Sequence, residues 1–319
     1  MATEKKTRRK STHKPGTKIR PNRTAEAGGA WPKWKNEGEF RTHRFHFSCS
    51  VVDYSGSTSE QRVAILKDRN FIDNYLGLIE RLDPKRVFEI GFFQGGMPLF
   101  LADMSNVEKV VSIDWNPPNT HLEKLVKTHS LSNKLKFVGN VDQGDAAKVH
   151  AIAQAEFEGK PIDLIIDDCS HYYKQTKGCF EHMFSLLRPG GVYVIEDWGW
   201  THWPTAPWNT AKSHFNGMES MSNLMFEIIM AFASTRGIIA SIEFPTWASM
   251  VITRGENLPH GAHFSLADQI QVHGDRQARL ITEPGALTAE GSAAIASRPK
   301  ALKPKWTSFF SSFKKKSVN

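Results

Sequence analysis

The chain has 319 residues, a hydrophobic content of 40% and a formal net charge of +8. This length and apolar content predict one sizeable core with flanking tails, and no run approaches the roughly 18 apolar residues of a membrane span. Three cysteines, Cys49, Cys169 and Cys179, are too few and too irregularly spaced for a disulfide framework or a zinc site. We therefore expect a cytoplasmic, reducing compartment, since the N-terminus also lacks the apolar segment of a secretory signal.

The positive charge is confined to the two ends of the chain. Residues 1–24 carry +8 and residues 298–319 carry +7, which leaves the segment 25–297 at about −7. Such composition favours disordered tails, and contact of the tails with nucleic acid or an anionic membrane is the alternative. The resulting division is a basic tail over 1–24, an N-terminal extension or lid over 25–60, a catalytic domain over 61–255, a C-terminal extension over 256–297 and a basic tail over 298–319.

Strand and helix patterns alternate between the tails. A helical pattern over 62–82 ends at Asp83-Pro84. Short apolar strands separated by helix-length segments predict an α/β, Rossmann-like, mostly parallel sheet of seven strands, with an antiparallel last strand in a hairpin around Pro245-Thr246. The predicted strands cover 86–91, 109–114, 135–140, 162–167, 191–196, 237–244 and 247–253. The predicted helices after the first cover 95–104, 119–130, 144–157, 173–187 and 217–234.

A glycine-rich turn follows the first of these strands. It contains Glu89, Gly91, Gly95 and Gly96, in the spacing E-x-G-x-x-x-G-G. A dinucleotide-binding turn needs G-x-G-x-x-G instead, with a helix N-terminus directed at pyrophosphate. Because Glu89 would repel an anion and attract a cation that carries an amino group, the turn indicates S-adenosylmethionine as the ligand.

Polar residues follow the next two strands. Asp114 is placed to accept both ribose hydroxyls, although nicotinamide-dependent enzymes carry an acid there too. After the third strand, Asp142 and Gln143 suit the edge of the adenine ring. The alternative is that Asp142 or Asp145 caps the following helix.

Acidic pairs follow the fourth and fifth strands of the predicted sheet. Asp168, Glu196 and Asp197 would bring three carboxylates into one small volume, where they repel each other and raise each other's pKa. A hard divalent cation relieves that repulsion, which predicts a Mg²⁺ site, with another divalent metal as the lesser option. The alternative is that Asp168 or Asp197 pairs with Lys174 or Arg188.

Two further features lie at the same predicted edge. His171 follows the acids directly, and an imidazole there can remove the proton of an acceptor hydroxyl. The segment 198–208 holds four tryptophans, two prolines and a glycine. It is interpreted as a loop packed over the sheet or as an aromatic wall for a ring-shaped substrate, and both can hold together.

These residues resemble a known family. Glu89-Ile90-Gly91 with Gly95-Gly96, Asp114 and 142–145 resemble the class I S-adenosylmethionine-dependent methyltransferases. The segments 166–171, 195–197 and 201–204 resemble the magnesium-dependent sugar O-methyltransferases of macrolide biosynthesis and the related cephalosporin-hydroxylase-like proteins. The resemblance covers residues 60–255. It implies a metal held by Asp168, Glu196 and Asp197, a general base at His171, a contact of Asp168 with the cofactor, and substrate contacts at Trp198, His202 and Trp203.

The function implied by the resemblance is metal-dependent methyl transfer from S-adenosylmethionine to a hydroxyl of a sugar or of a small polyhydroxylated natural product. The partner is then a small acceptor, and assembly into a homo-oligomer is compatible with it. Three alternatives stay open. They are a nucleic-acid methyltransferase, suggested by the tails and by Asn116-Pro117-Pro118, a nicotinamide-dependent oxidoreductase, and a non-catalytic binding protein with the same fold.

Overall fold

The computed structural model describes residues 31–49, 57–203, 213 and 215–271. Both basic tails, residues 272–297 of the C-terminal extension, and Trp208 in the tryptophan-rich segment lie outside these ranges. Among the described residues, no helix combines the length and the apolar character that crossing a membrane requires.

The N-terminal extension contributes three strands to a small sheet, whose fourth strand lies just after the extension; the sheet packs into the core. Its strands, in spatial order, are β1 (Lys33–Asn36), β2 (Glu39–Arg41), β3 (His46–Cys49) and β4 (Val63–Ile65). The first three are antiparallel and β4 is parallel to β3. Phe40 and Phe47 are fully buried, and both make edge-to-face contacts with Phe100. The predicted boundary between residues 60 and 61 therefore falls between two strands that pair with each other.

The first helix begins later than the predicted helix over 62–82. Helix α1 (Arg69–Leu82) starts after Asp68, whose carboxylate accepts a 2.8 Å hydrogen bond from the backbone N–H of Phe71. It ends at Asp83, in the left-handed conformation before Pro84. The prediction was wrong for residues 62–68, because the run Val63–Ile65 is too short for its period to separate helix from strand.

The remaining elements follow the predicted order. The strands are β5 (Arg86–Ile90), β6 (Lys109–Ile113), β7 (Leu135–Val138), β8 (Ile162–Asp167), β9 (Leu187–Glu196), β10 (Ile239–Thr246) and β11 (Ser249–Arg254). The helices are α2 (Gly96–Ala102), α3 (Thr120–Thr128), α4 (Ala146–Glu156), α5 (Tyr173–Met183), α6 (Met221–Ser234) and α7 (Leu266–Gln269).

These seven strands form one sheet in the order β10-β11-β9-β8-β5-β6-β7. Strand β11 runs antiparallel to both neighbours and the other pairs are parallel, which confirms the predicted fold class. The hairpin turn lies at Trp247-Ala248, two residues after the predicted turn. Strand β9 begins at Leu187, four residues before the predicted start, because a register shift accommodates Pro189 and Gly190 within it.

The sheet is buried on both faces, and its strands alternate between two apolar layers. Phe88 and Ile165 pack with α4, α5 and α6 on one face, whereas Val87 and Leu164 pack with α1, α2 and the small sheet on the other. From β5 the chain proceeds outward to β6 and β7, then returns to β8 on the opposite side. That reversal opens a crevice at the carboxyl ends of the strands, which is where open α/β sheets bind ligands.

The start of α2 packs directly under β4. A β-carbon on Gly96 would lie 2.4 Å from the backbone oxygen of Ala64 and 2.6 Å from the Cα of Ile65. We expect Gly96→Ala to lower the free energy of unfolding by about 1–3 kcal/mol, since neither backbone atom can move alone. Denaturant titration followed by tryptophan fluorescence measures the change.

Gly77 supplies the matched control for this substitution. It is exposed in the middle of α1, and a β-carbon there would meet no atom within 4 Å. Gly77→Ala should therefore raise the free energy of unfolding by about 0.5–1 kcal/mol. Equal effects of the two substitutions would contradict the packing described for Gly96.

Candidate active site

The glycine turn after β5 touches the acidic loop after β8. Gly91 has φ +98°, and a β-carbon on it would lie 2.1 Å from the backbone oxygen of Asp168. Gly95 has φ +77°, and a β-carbon on it would lie 2.3 Å from Cδ2 of Leu122 in α3. A β-carbon on Gly96 would meet β4. All three were predicted to contact the cofactor. Close packing against Leu122 and β4 explains why residues 95 and 96 are glycines. Gly91 instead allows the turn after β5 to contact the acidic loop after β8.

The two acids at the ends of β5 and β6 both lie in the crevice but differ in burial. Glu89 is 1% exposed and accepts a hydrogen bond from the Ser112 hydroxyl. Burial raises the pKa of Glu89 to about 8. Oδ1 of Asp114 accepts from the backbone N–H of Asn116 at 2.8 Å and from its side-chain amide at 3.5 Å. Oδ2 accepts from the backbone N–H of Phe93 at 2.9 Å and keeps a second lone pair for a ligand hydroxyl.

The polar residues after β7 have different surroundings and partners. Asp145 caps α4 by accepting from the N–H of Lys148 at 3.0 Å, which realises the capping alternative. Asp142 is exposed and accepts from the N–H of Gly144 at 2.8 Å. Gln143 is buried, and its amide bonds to Asp167 and Ser170 instead of facing the crevice. Of the two predicted adenine contacts, only Asp142 lies at the surface.

Three side chains converge where β8 and β9 end. Asp168, His171 and Asp197 each offer a ligand atom, and these atoms all lie within 4.8 Å of one another. The Nε2 atom of His171 lies 3.9 Å from Oδ1 of Asp168. Two of the three predicted metal ligands therefore meet beside the predicted base.

Glu196, the remaining predicted ligand, points elsewhere. It is 3% exposed, and its Oε2 accepts a 2.7 Å hydrogen bond from the ammonium group of Lys67. Its Oε1 accepts from the Tyr75 hydroxyl at 2.5 Å. The same ammonium group donates to Oδ2 of Asp168 at 2.8 Å. Lys67 therefore bridges Asp168 and Glu196, whereas the alternative from the sequence paired Asp168 or Asp197 with Lys174 or Arg188. Arg188 instead pairs with Asp163 at 2.7 Å.

This bridge sets the protonation of the acids around it. Burial alone would lower the pKa of Lys67, but Asp168 and Glu196 outweigh it and raise the pKa, so the ammonium stays charged. Burial raises the pKa of Glu196 to about 7, and it also raises the pKa of Asp197. For Asp168, Lys67 and the imidazole of His171 outweigh burial and lower the pKa. After burial, the charge of Asp168 also raises the pKa of Glu196 and of Asp197, which is the repulsion between carboxylates that the sequence predicts.

Left-handed backbone places two of the three converging side chains. His171 has φ +55° and Asp197 has φ +52°, a conformation that is costly for residues other than glycine. The indole N–H of Trp200 donates to the backbone oxygen of His171 at 2.9 Å and holds that loop in place. Trp200 is thus a buried structural residue and not part of an aromatic wall.

Of the other described tryptophans of the segment, Trp198 lines a groove that begins next to Asp197, and Trp203 packs behind its wall. Trp198 packs against Phe244 with 5.8 Å between ring centroids, and Trp203 packs against Trp247 at 4.6 Å. The groove measures about 490 Å³ and is lined by Trp198, Phe244, Pro245, Thr246 and Trp247. His202, predicted as a substrate contact, is exposed and is not among the side chains that converge with the acids.

Sequence reasoning missed Lys67 and Tyr75. Lys67 lies in the loop between β4 and α1, and Tyr75 lies on the buried face of α1. The available signal was a lysine two residues after the short run Val63–Ile65. Lys67 was not considered as a site residue because the run was interpreted as the first turn of the helix predicted over 62–82.

The donor set fits a divalent cation. Asp168 and Asp197 supply carboxylate oxygens, the ligands that Mg²⁺ and Mn²⁺ prefer, and His171 adds a nitrogen in reach. Among the described residues, the ammonium of Lys67 interacts with the buried or half-buried acids Glu89, Asp168, Glu196 and Asp197. A further positive charge at this edge is therefore electrostatically favourable.

Residues 88–198 match the family model described as a methyltransferase domain. This segment begins within β5, ends one residue after Asp197 and contains the glycine turn and both acidic loops. The match over this segment agrees with the seven-stranded sheet and its antiparallel last strand, which have the class I methyltransferase architecture. The segment Asn116-Pro117-Pro118 follows β6 instead of adjoining the acids.

Among curated proteins, the chain is similar to two O-methyltransferases. It is 41% identical over 63 residues to 8-demethyl-8-alpha-L-rhamnosyl tetracenomycin-C 2'-O-methyltransferase of Streptomyces olivaceus, covering 20% of this chain and 16% of that protein. The identity to mycinamicin VI 2''-O-methyltransferase of Micromonospora griseorubida is also 41% over 63 residues, covering 20% and 15%. The matched segments thus span less than a fifth of the relatives' length.

Among solved structures, the chain resembles the MycE methyltransferase from the mycinamycin biosynthetic pathway, in complex with Mg, SAH and mycinamycin VI. The TM-score is 0.45 and the sequence identity is 23%, over 59% of this chain and 50% of that one.

The raised pKa of Glu89 predicts a pH dependence of stability. Between the ordinary pKa of 4.5 and about 8, folded Glu89 holds a proton that the unfolded chain has lost. Stability is therefore lost as pH rises through this window, by at most about 1.4 kcal/mol per pH unit from this group. Glu89→Gln should remove that share of the slope, measured by denaturant titration at several values between pH 5 and 8.

Glu156→Gln is the control for this titration. Lys136 and Lys109 outweigh burial and lower the pKa of Glu156, so its contribution falls in the acid range. Its slope between pH 5 and 8 should match that of the unsubstituted protein. An unchanged slope in Glu89→Gln would show that the carboxyl is ionised throughout.

Proposed function

We propose that the protein is an S-adenosylmethionine-dependent O-methyltransferase that requires a divalent metal and acts on a hydroxyl of a sugar or of a small polyhydroxylated acceptor. One observation carries the proposal. The glycine turn after β5 and the acidic loop after β8 meet at Gly91 and Asp168, where a β-carbon on Gly91 would lie 2.1 Å from the backbone oxygen of Asp168. A methyl donor in the turn would then lie beside the group that activates the acceptor.

The donor would bind along the ends of β5 and β6. Asp114 would accept the ribose hydroxyls, with a lone pair of Oδ2 already available and Oδ1 released from the 3.5 Å contact with the Asn116 side chain. Exposed Asp142 is the candidate for the adenine edge. Glu89 would attract the cationic part of the donor from behind the turn, because a nearby positive charge lowers the pKa of a buried acid and ionises it. Asp168 would border the methyl group from the next strand.

The acceptor hydroxyl would lie between His171, Asp168 and Asp197. A divalent metal held by the two aspartates would lower the pKa of that hydroxyl. His171 would take the proton on a ring nitrogen, and the acceptor oxygen would displace the methyl group from the sulfonium in line. Orienting the two reactants in contact supplies a large part of the rate.

The groove beside the acids supports an acceptor with a ring. Its lining of Trp198, Phe244 and Trp247 offers flat apolar surface next to Asp197. Trp203, packed on Trp247, supports one of these walls from behind. The names of the curated relatives, which specify oxygens 2' and 2'' as the methylated atoms, favour a sugar hydroxyl.

Two measurements on the purified full chain test the proposal. Calorimetry should show binding of S-adenosylmethionine and none of NAD. Methyl transfer to a panel of glycosides should stop in excess chelator and return with Mg²⁺, while the affinity for S-adenosylmethionine changes little. Binding of NAD alone, or full turnover in chelator, would overturn it.

His171 gives the sharpest variant. His171→Asn keeps a residue that tolerates left-handed backbone, so folding should be unaffected. As general base, His171 should contribute about 10²–10⁴ to turnover, and the variant should lose that factor while its melting temperature and its affinity for S-adenosylmethionine are retained. Steady-state kinetics and differential scanning fluorimetry on one preparation measure all three.

The control is His182→Asn, an exposed histidine on α5 whose ring bonds to the backbone oxygen of Gly178 at 2.9 Å. Its turnover should be unchanged. If His171→Asn loses stability and turnover in proportion, the histidine is structural.

A further inference from the structure

A buried lysine lies inside the acidic cluster. The Lys67 side chain is 4% exposed, and its ammonium group lies 2.8 Å from Oδ2 of Asp168 and 2.7 Å from Oε2 of Glu196. A cation so fully enclosed is held by good geometry to both carboxylates, because its desolvation is otherwise too unfavourable. Lys67 is therefore a fixed component of the acidic site.

The two acids at the end of β9 face different ways. Glu196 continues the alternation of Val192 and Val194, which pack on the α1 face of the sheet, and it meets Lys67 and Tyr75 there. Asp197 leaves the strand through left-handed backbone and turns toward His171 and Asp168. Both oxygens of Glu196 already accept hydrogen bonds, whereas one oxygen of Asp197 converges with the ligand atoms of Asp168 and His171.

We propose that Lys67 is a positioning residue that keeps Glu196 out of the metal site, so that Asp168 and Asp197 are the side chains that hold the divalent cation beside His171. Lys67 acts as a fixed positive charge on one side of Asp168, and the metal would bind on the other. The ligand set thus differs from the set of Asp168, Glu196 and Asp197 that the sequence resemblance implies. This inference rests on the proposed metal-dependent function.

Direct measurement of Mn²⁺ binding to the full chain tests it without any turnover. Glu196→Gln preserves shape and the acceptor for Tyr75, and we expect its Mn²⁺ dissociation constant to lie within about threefold of the unsubstituted protein. Asp197→Asn should weaken binding at least tenfold, as loss of a ligand does. Titration calorimetry and the electron paramagnetic resonance signal of free Mn²⁺ give the constants. A loss of tenfold or more in Glu196→Gln would overturn the proposal.

The lysine itself gives a second test. Lys67→Met leaves Glu196 and Asp168 without their cation, so Mn²⁺ should bind about tenfold more tightly and should raise the melting temperature more than it does for the unsubstituted protein. Lys177→Met is the matched control, because Lys177 pairs with Glu227 at 2.6 Å away from the acids and should leave the metal response unchanged. Weaker or equal Mn²⁺ affinity in Lys67→Met would contradict the role assigned to Lys67.

The two tests separate this inference from the proposed function. If Lys67→Met does not fold, Glu196→Gln decides alone. An unsubstituted protein that binds no Mn²⁺ overturns the inference, whereas methyl transfer that persists in chelator counts against the metal dependence of the reaction. If the unsubstituted protein transfers methyl groups only with metal, but Glu196→Gln loses Mn²⁺ binding, the proposed function stands and the proposed ligand set is wrong.

Discussion

The need to neutralise buried carboxylates at one edge of the sheet governs this structure. Glu89, Asp168 and Glu196 lie within the reach of a single ammonium group, that of Lys67. Lys67 reaches them because β4 ends two residues earlier and lies flat on α2, which the missing side chain of Gly96 permits. The small N-terminal sheet is thus part of the charge balance of the site.

The site also depends on locally unfavourable backbone. His171 and Asp197 both have positive φ, and such conformations persist only where the surrounding structure holds them. The Trp200 indole bonds to the backbone of His171, and the ladder between β9 and β11 pairs Glu196 with Ser249 just before Asp197. Hydrogen bonds outside the reacting groups therefore fix the directions of the two side chains.

The sequence predicted the central sheet and the place of the site, but not the ligand geometry. Long apolar strands such as Ile162–Asp167 have one interpretation, so their ends and the acids after them were located correctly. The three-residue strand Val63–Ile65 has no period that separates it from a helix, and Lys67 was lost with it. The direction of a side chain after a strand depends on the backbone dihedrals of that residue, which the residue types around Asp197 do not encode.

Alternation along a strand explains why acidic pairs at strand ends are easily misinterpreted. Consecutive residues of a strand point to opposite faces, so two adjacent acids cannot both follow the strand into one site. Asp167 turns inward to Tyr193 and Gln143, which leaves Asp168 at the mouth. Glu196 likewise turns inward to Lys67, which leaves Asp197. Each pair then supplies one acid to the interior and one to the crevice, and the inner acid of each is held by hydrogen bonds that tie the strand end to its neighbours.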